Sequence, residues 1–357
     1  MAIRDAARGF LAEQATMERV RAALGSPEGW ARDMWRAFAA ELGFTGLAIP
    51  EAHGGAGLGV RELALVAEEL GATLAPIPWF ETAVLSTTPL TACHAGAALE
   101  RIARGDCVAT LAWRGASGRP DDYGLELRDG RVRGTAHYVP FGHAADLLLV
   151  AARDSAGLAL ALVEAKAAGV AIERNTSFDL TRPYARVTFS DAPAEIIARD
   201  AKAVLERSFA IAATVLASEQ VGAMARVLEE TVAYAKQRVQ FGRVIGSFQA
   251  MKHRMADMKL ELEAARSAAD WALAAIEADA PDYLTACSGA RAACSEAFLR
   301  IASDGVQLLG GIGFTWEHAA HFYFKRARAS STLLNSPAHH REIVARALLD
   351  EGSPHEV

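Results

Sequence analysis

The stretch Tyr234–His253 reads YAKQRVQFGRVIGSFQAMKH and gathers groups that could hold a ligand. Arg238 and Arg243 offer guanidinium donors, and Gln240 and Gln249 offer amides. Phe241 and Phe248 offer aromatic faces. Gly242 and Gly246 leave backbone that a ligand can approach closely. A plain connection between helices needs only a few polar residues. This inventory instead suits a large anionic aromatic molecule such as a dinucleotide. A polar loop closed over its own aromatics has the same composition, so the residues alone leave both readings open.

Two long apolar patterns must position the stretch. Leu205–Tyr234 precedes it at helical spacing, and Met251, Met255, Met258, Leu262 and Ala265 form one stripe after it. The stretch is therefore expected to be the turn of a helical hairpin. Periodicity predicts helices over about 201–237, 249–278, 281–309 and 338–350, with a short one near 317–328, lengths that suit an antiparallel bundle.

Upstream, the period changes twice. Residues up to about 105 carry helical spacing in MERVRAAL, MWRAFAAEL and VRELALVAEELGATL. Ser26-Pro27-Glu28 reads as a helix start, with Ser26 as cap and Pro27 in the first turn. The glycines 54, 55, 57 and 59 after Pro50 make a long turn. It follows no strand and lacks a P-loop lysine, so a phosphate cradle is disfavoured there. From about Cys107 the period is two, in CVATLAW, LELRD, RVRGTAHYV, DLLLVAA, LALALVEA and YARVTFS, with Asp129-Gly130 as a hairpin turn. Strands without intervening helices predict a small antiparallel barrel or sandwich, ending near Pro193.

The chain has 357 residues, room for two or three units and a substantial core. A hydrophobic share of 52% excludes a disordered chain, and a net charge of -6 argues against nucleic-acid binding over the whole surface. No apolar run is read as a membrane span, and the first residues lack the apolar core of a secretory signal. Cys93, Cys107, Cys287 and Cys294 have no metal spacing and read as small apolar residues of a reducing compartment. A cytoplasmic location is the default expectation.

RVQFGRVIGSFQAMKHRMADM closely resembles the acyl-CoA dehydrogenase family. So do QLLGGIGFTWEHAAHFYFKRARA from Gln307 and LGFTGLAIPEAHGGAGLGVRELALVAEELGATLAPIP from Leu42. The three blocks stand in the family's order and span nearly the whole chain. The resemblance implies an α+β multidomain fold. It consists of an N-terminal helical domain over about 1–106, a central β-domain over about 107–197 and a C-terminal four-helix bundle over about 198–357. It also implies FAD, shared across a subunit interface, and an acyl-CoA thioester oxidised to its trans-2-enoyl form. Electron-transfer flavoprotein is the implied acceptor. Arg238, Gln240, Phe241, Ile245, Phe248, Gln249, Gln307, Gly310 and Gly311 fall on positions that contact the neighbour's FAD diphosphate and adenosine.

The same resemblance exposes gaps. The family's β-domain carries a segment like TEPGxGSD and then WxT flanking the flavin ring. Here Leu111–Asp129 has no such segment, Tyr138 takes the Trp place and Pro140 the Thr place. Proline has neither N–H nor hydroxyl to offer the flavin N5. The family's base is a Glu in a pattern like YEGT, where this chain has Leu334, Asn335 and Ser336, or a Glu on the first long bundle helix, where it has Ala212. Glu206 and Glu219 lie roughly two turns from Ala212, on the order of 9–10 Å along the axis. His339, His340, Ser336 and Glu317 remain as unassigned candidates.

The favoured expectation is therefore the non-catalytic subunit of a heterotetrameric, steroid-CoA type acyl-CoA dehydrogenase, partnered by a homologous catalytic subunit. The alternatives are an independently active homo-oligomer with an unrecognised base, or a related flavin oxidoreductase. The acyl group cannot be read from periodicity.

Overall fold

The computed structural model describes residues 2–349. Position 350, at the end of the last expected helix, lies outside the described residues. The helices before the sheet are α1 (Ala2–Gln14), α2 (Met17–Leu24), α3 (Arg32–Arg36), α4 (Val60–Thr73), α5 (Thr87–Ala92) and α6 (Gly96–Ala103). After it come α7 (Lys202–Gln237), α8 (Gln249–Glu277), α9 (Tyr283–Leu309), α10 (Ala320–Ser330) and α11 (Pro337–Leu349). This is the acyl-CoA dehydrogenase-like order of helices, sheet and helices.

By packing, the described chain divides into two compact units. One holds the residues up to Val20, Ala64–Ala75 and those from Ala213 onward; the other holds Arg21–Leu63 and Pro76–Ala212.

The second unit contains the sheet. Its strands are β1 (Ala109–Ala112), β2 (Leu125–Arg128), β3 (Arg131–Pro140), β4 (Leu147–Asp154), β5 (Gly157–Glu164), β6 (Val170–Arg174), β7 (Tyr184–Pro193) and β8 (Glu195–Ala198). They run in the order β6-β7-β3-β2-β4-β5-β8, with β1 on β4. Most pairs are antiparallel, but β1 and β2 lie parallel to β4. The β2–β3 hairpin turns on Asp129 (φ 51°) and Gly130 (φ 71°), the left-handed pair that a tight hairpin requires. Alternate residues such as Val132, Leu148, Val150, Ala161 and Val187 face one apolar core. β6 and β8 are absent from the sequence reading. β6 alternates only between half-buried and exposed, so its period-two signal is faint.

Ser26-Pro27 starts no helix. The Ser26 hydroxyl donates to the Ala23 carbonyl and accepts from the Gly29 N–H at 3.0 Å, so it closes a turn after α2. A serine hydroxyl satisfies a turn as readily as a helix start, and sequence does not separate the two uses. In the Pro50–Gly59 turn, a Cβ on Gly55 would come 2.1 Å from the Ile49 carbonyl, so this glycine serves packing.

In the first unit α4 and α7 cross in backbone contact. A Cβ on Gly222 would stand 1.9 Å from the Glu68 carbonyl, and one on Gly71 1.9 Å from that of Glu219. Around the crossing, Glu68 pairs with Arg4 at 2.8 Å and Arg266 at 3.2 Å, and Tyr323 donates to the Ala72 carbonyl at 2.6 Å. Gly222→Ala should therefore push the helices apart and cost about 1–3 kcal/mol. Thermal unfolding at unchanged Tm would refute this contact.

Helix α7 does reach the length and hydropathy of a membrane span, which the reading of isolated runs missed. Of that window 83% is buried inside the protein, as in a core helix. Burial also pushes the Cys107 and Cys294 thiols up to about 12, so neither is a thiolate at neutral pH.

Candidate functional site

The ligand-type stretch folds as a two-stranded hairpin between α7 and α8. Val239–Gln240 pairs with Arg243–Val244, and Phe241 (φ 53°) and Gly242 (φ 77°) form the turn. The Arg238 N–H continues the helix by donating to Tyr234 O at 2.9 Å, and its carbonyl accepts from Ile245 at 2.8 Å. These bonds fix the base of the hairpin and leave its side chains outside. Arg238, Gln240 and Gln249 are exposed, Ile245 and Phe248 are half-buried, and Phe241 is 92% exposed.

Phe248 is held from two sides. The Arg243 guanidinium lies 4.0 Å from its ring centroid, and Phe241 meets it edge-on at 6.2 Å. The sequence reading counts Arg243 among the donors but gives it no contact role. Its position across the turn from Gln240, set by the two-residue hairpin, is the signal that brings it beside Phe248.

The second block joins the first through the bundle. Tyr234 packs on the cluster of Val306, Leu309 and Ala320, so the end of α7 meets the end of α9. There Gln307 is exposed and α9 ends on Gly310 at φ 65°, ψ -142°, a region open essentially to glycine alone. Among the described residues, no atom beyond the chain neighbours lies within 4 Å of a Cβ built on Gly310 or Gly311. Their backbone is thus open to a ligand, whereas Gly313 is glycine for packing, with Val306 O 2.7 Å from its Cβ. Arginine and amide donors, an exposed aromatic and open glycine backbone fit the diphosphate and adenosine of FAD.

Leu334 and Ala212, where the resemblance puts the base, carry no carboxylate. Leu334 is buried at φ 59°, followed by Asn335 at φ 77°. Two neighbours fix this turn. Arg291, fully buried, donates to Leu333 O at 2.7 Å and also to Ser330 O. His340 Nε2 lies 2.7 Å from Leu334 O. Ala212 is fully buried within α7.

The other candidate acids and histidines sit in different environments. Glu219 is buried and pairs with Arg326 at 2.7 Å, and Glu206 is exposed, 3.8 Å from Lys202. Burial, then the nearby Arg291 charge, pushes His340 down to about 4. Burial also lowers His339. A depressed imidazole is a poorer base for a weakly acidic α-proton. Ser336 accepts the His339 N–H at 3.3 Å, at the start of α11, and Glu317 is exposed.

In the sheet unit, Tyr138 sits where the β3–β7 register slips between Ala136 and Val139, half-exposed at φ 56°. Pro140 ends β3 opposite Tyr184, buried, and its carbonyl accepts from Thr110 Oγ1 at 2.7 Å. A strand end tolerates proline because the ladder needs no N–H there. Between Trp113 and Leu125 the chain folds on itself, with Asp122 accepting from the Ser117 N–H at 2.9 Å and hydroxyl at 2.6 Å. These bonds hold the Asp122 carboxyl below its ordinary range.

Comparison with known proteins places this fold in a family. The N-terminal domain of acyl-CoA dehydrogenases matches residues 1–94, and their C-terminal domain matches residues 202–349. The acyl-CoA dehydrogenase IpdE2 of Mycobacterium tuberculosis is 37% identical over 345 residues, covering 96% of this chain and 94% of that protein. FadE34 of the same organism is 35% identical, but the match covers 91% of this chain and only 44% of FadE34. Among solved structures, a variant of the Tcur3481-Tcur3483 steroid ACAD aligns at TM-score 0.89 and 30% identity, over 98% of this chain and 97% of that one. The ChsE4-ChsE5 complex from Mycobacterium tuberculosis aligns at 0.90 and 26%, over 99% and 97%. The chain belongs to the acyl-CoA dehydrogenase family.

Proposed function

We propose that this chain is the non-catalytic subunit of a heteromeric FAD-dependent acyl-CoA dehydrogenase acting on a steroid-derived acyl-CoA. The observation that carries the reading is an asymmetry. The exposed hairpin of Arg238–Gln249 keeps its donors and aromatics, while Leu334 and Ala212 occupy both base positions. Pro140 adds to it, since a buried proline offers no hydroxyl or N–H. The relatives support a steroid substrate and a two-component assembly, because one is described as a steroid ACAD and another as a complex of two proteins. The matched part of FadE34 is likewise less than half of that protein.

In this reading the chemistry FAD would supply is a hydride acceptor for the β-carbon of the thioester. Arg238 would pair with the diphosphate by charge-assisted hydrogen bonds, with Gln249 and Gln307 as further donors. Phe241 and Phe248 offer faces to the adenosine portion, and Gly310 and Gly311 let the backbone approach. The α-proton is taken by the partner subunit, whose own carboxylate supplies the base.

Expression with and without a homologous subunit that keeps its Glu tests this. The pair should purify with about one FAD per heterodimer and reduce it on adding an acyl-CoA. The chain alone should do neither; stoichiometric FAD reduced by the homo-oligomer defeats the proposal and returns attention to Ser336, His339 and Glu317. Within the complex, Arg238→Ala should weaken flavin retention by about 1.5–3 kcal/mol, roughly 10- to 150-fold. Flavin absorbance that survives the substitution unchanged removes Arg238 from the site.

A further inference from the structure

The ligand-type hairpin carries two exposed arginines in different surroundings. The Arg238 guanidinium meets no partner among the described residues, so it is available to an anion. The Arg243 guanidinium forms no ion pair among them either, but it lies 4.0 Å from the centroid of the Phe248 ring and covers one of its faces.

Little else holds the tip of the hairpin. It has two residue pairs, Gln240 with Arg243 and Val239 with Val244, and all four side chains are exposed. A lone two-stranded hairpin is marginal in water. The base is fixed. Ile245 N–H donates to Arg238 O at 2.8 Å, and a Cβ on Gly246 would stand 2.8 Å from the Ala235 carbonyl, so the chain lies against the last turns of α7. The Ser247 hydroxyl donates to Val244 O at 2.7 Å. The turn itself is open: among the described residues, no atom beyond the chain neighbours lies within 4 Å of a Cβ built on Gly242. Side-chain contact from the tip back to the body runs through Phe248. This half-buried residue stands just before α8, and its carbonyl accepts from the Lys252 N–H at 3.1 Å, which ties it to the first turn of that helix. Arg243 sits on the face of this fixed ring, and Phe241 meets it edge-on at 6.2 Å.

We infer that Arg243 is a positioning residue. Stacked on Phe248, it aims the hairpin and both phenyl rings at an aromatic ligand, while Arg238 keeps its charge for the anionic part. The guanidinium takes one face of Phe248 and leaves the other, with Phe241, to the ligand. The inference rests on the flavin reading above for what that ligand is, and it gives Arg243 no phosphate contact of its own.

A double-variant cycle separates action through Phe248 from direct contact with the ligand. Two quantities are measured. One is amide hydrogen exchange over residues 239–245 in the flavin-free chain. The other is the FAD affinity of the complex with a homologous subunit that keeps its Glu. Arg243→Met keeps an unbranched stem and removes the cation. It should speed exchange and weaken FAD binding by about 2- to 5-fold each, the range of a cation–π contact at an exposed site. Arg243→Lys should restore much of both, since an ammonium can take the same place over the ring. In a Phe248→Leu background, Arg243→Met should have no further effect on either. Circular dichroism checks that each variant folds. Equal losses in both backgrounds overturn the inference, because Arg243 would then act on the ligand or the backbone directly. So does an Arg243→Met protein with wild-type exchange and affinity. A wild-type complex that holds no FAD defeats the functional reading instead, and exchange in the flavin-free chain still decides whether Arg243 sets the hairpin.

Discussion

Arg182→Met should destabilise the protein by about 3–5 kcal/mol, because it strands a buried carboxylate. Glu81 is fully buried, and Arg182 Nε donates to it at 3.0 Å with its guanidinium 5.1 Å from the Phe80 ring centroid. Glu81 lies in a π-helical segment, Phe80–Ser86, that is buried throughout. The Ser86 and Thr87 hydroxyls donate to the carbonyls five residues back, of Glu81 and Thr82, which helps hold the wide turn. Urea denaturation of Arg182→Met, Glu81→Gln and the double variant measures the pair. The double variant should recover much of the loss, since removing both charges leaves no stranded ion. A single-variant loss below about 1 kcal/mol would show instead that water reaches the carboxylate.

Acid should remove a further portion of stability through His340, on the order of 3 kcal/mol. Its folded value, about 4, lies below the ordinary imidazole range because of burial and the nearby Arg291 charge. The unfolded chain therefore binds a proton that the folded chain refuses. The contribution is complete above about pH 6.5, declines as pH falls toward 4, and changes no further below that. Protonation would place an N–H on Nδ1, which is buried and has no hydrogen-bond partner among the described residues. The stability difference between wild type and His340→Gln should shrink across this window. A difference that stays constant from pH 7 to pH 4.5 would clear His340 of the role. The same titration should loosen the turn that carries Leu334, because His340 and Arg291 both hold its carbonyls.

The elements that sequence alone determined are those with local causes. Helices α7, α8 and α9 are legible because apolar residues recur every three or four positions along one chain segment. The turn at Asp129-Gly130 is legible because two adjacent residues must accept positive φ, whereas the hairpin turn at Phe241-Gly242 carries a phenylalanine at positive φ that composition does not announce. That leucine and alanine side chains carry no base, and proline no hydroxyl or N–H, is likewise legible from side-chain chemistry before any coordinate. Tertiary structure decided what depends on partners far along the chain. Glu81 meets Arg182 across 101 residues, and Gln220 meets Ser330 across 110. Neither pair leaves a periodic trace. The π-helix, the parallel pairing of β1 with β4, and the backbone crossing at Gly222 share that origin. Each is chosen by what packs against it, whereas propensity and spacing report only on a residue's own neighbours. Helix α8 shows the division: sequence makes both its faces partly apolar, and only the tertiary structure buries the one with Met258 and Leu262.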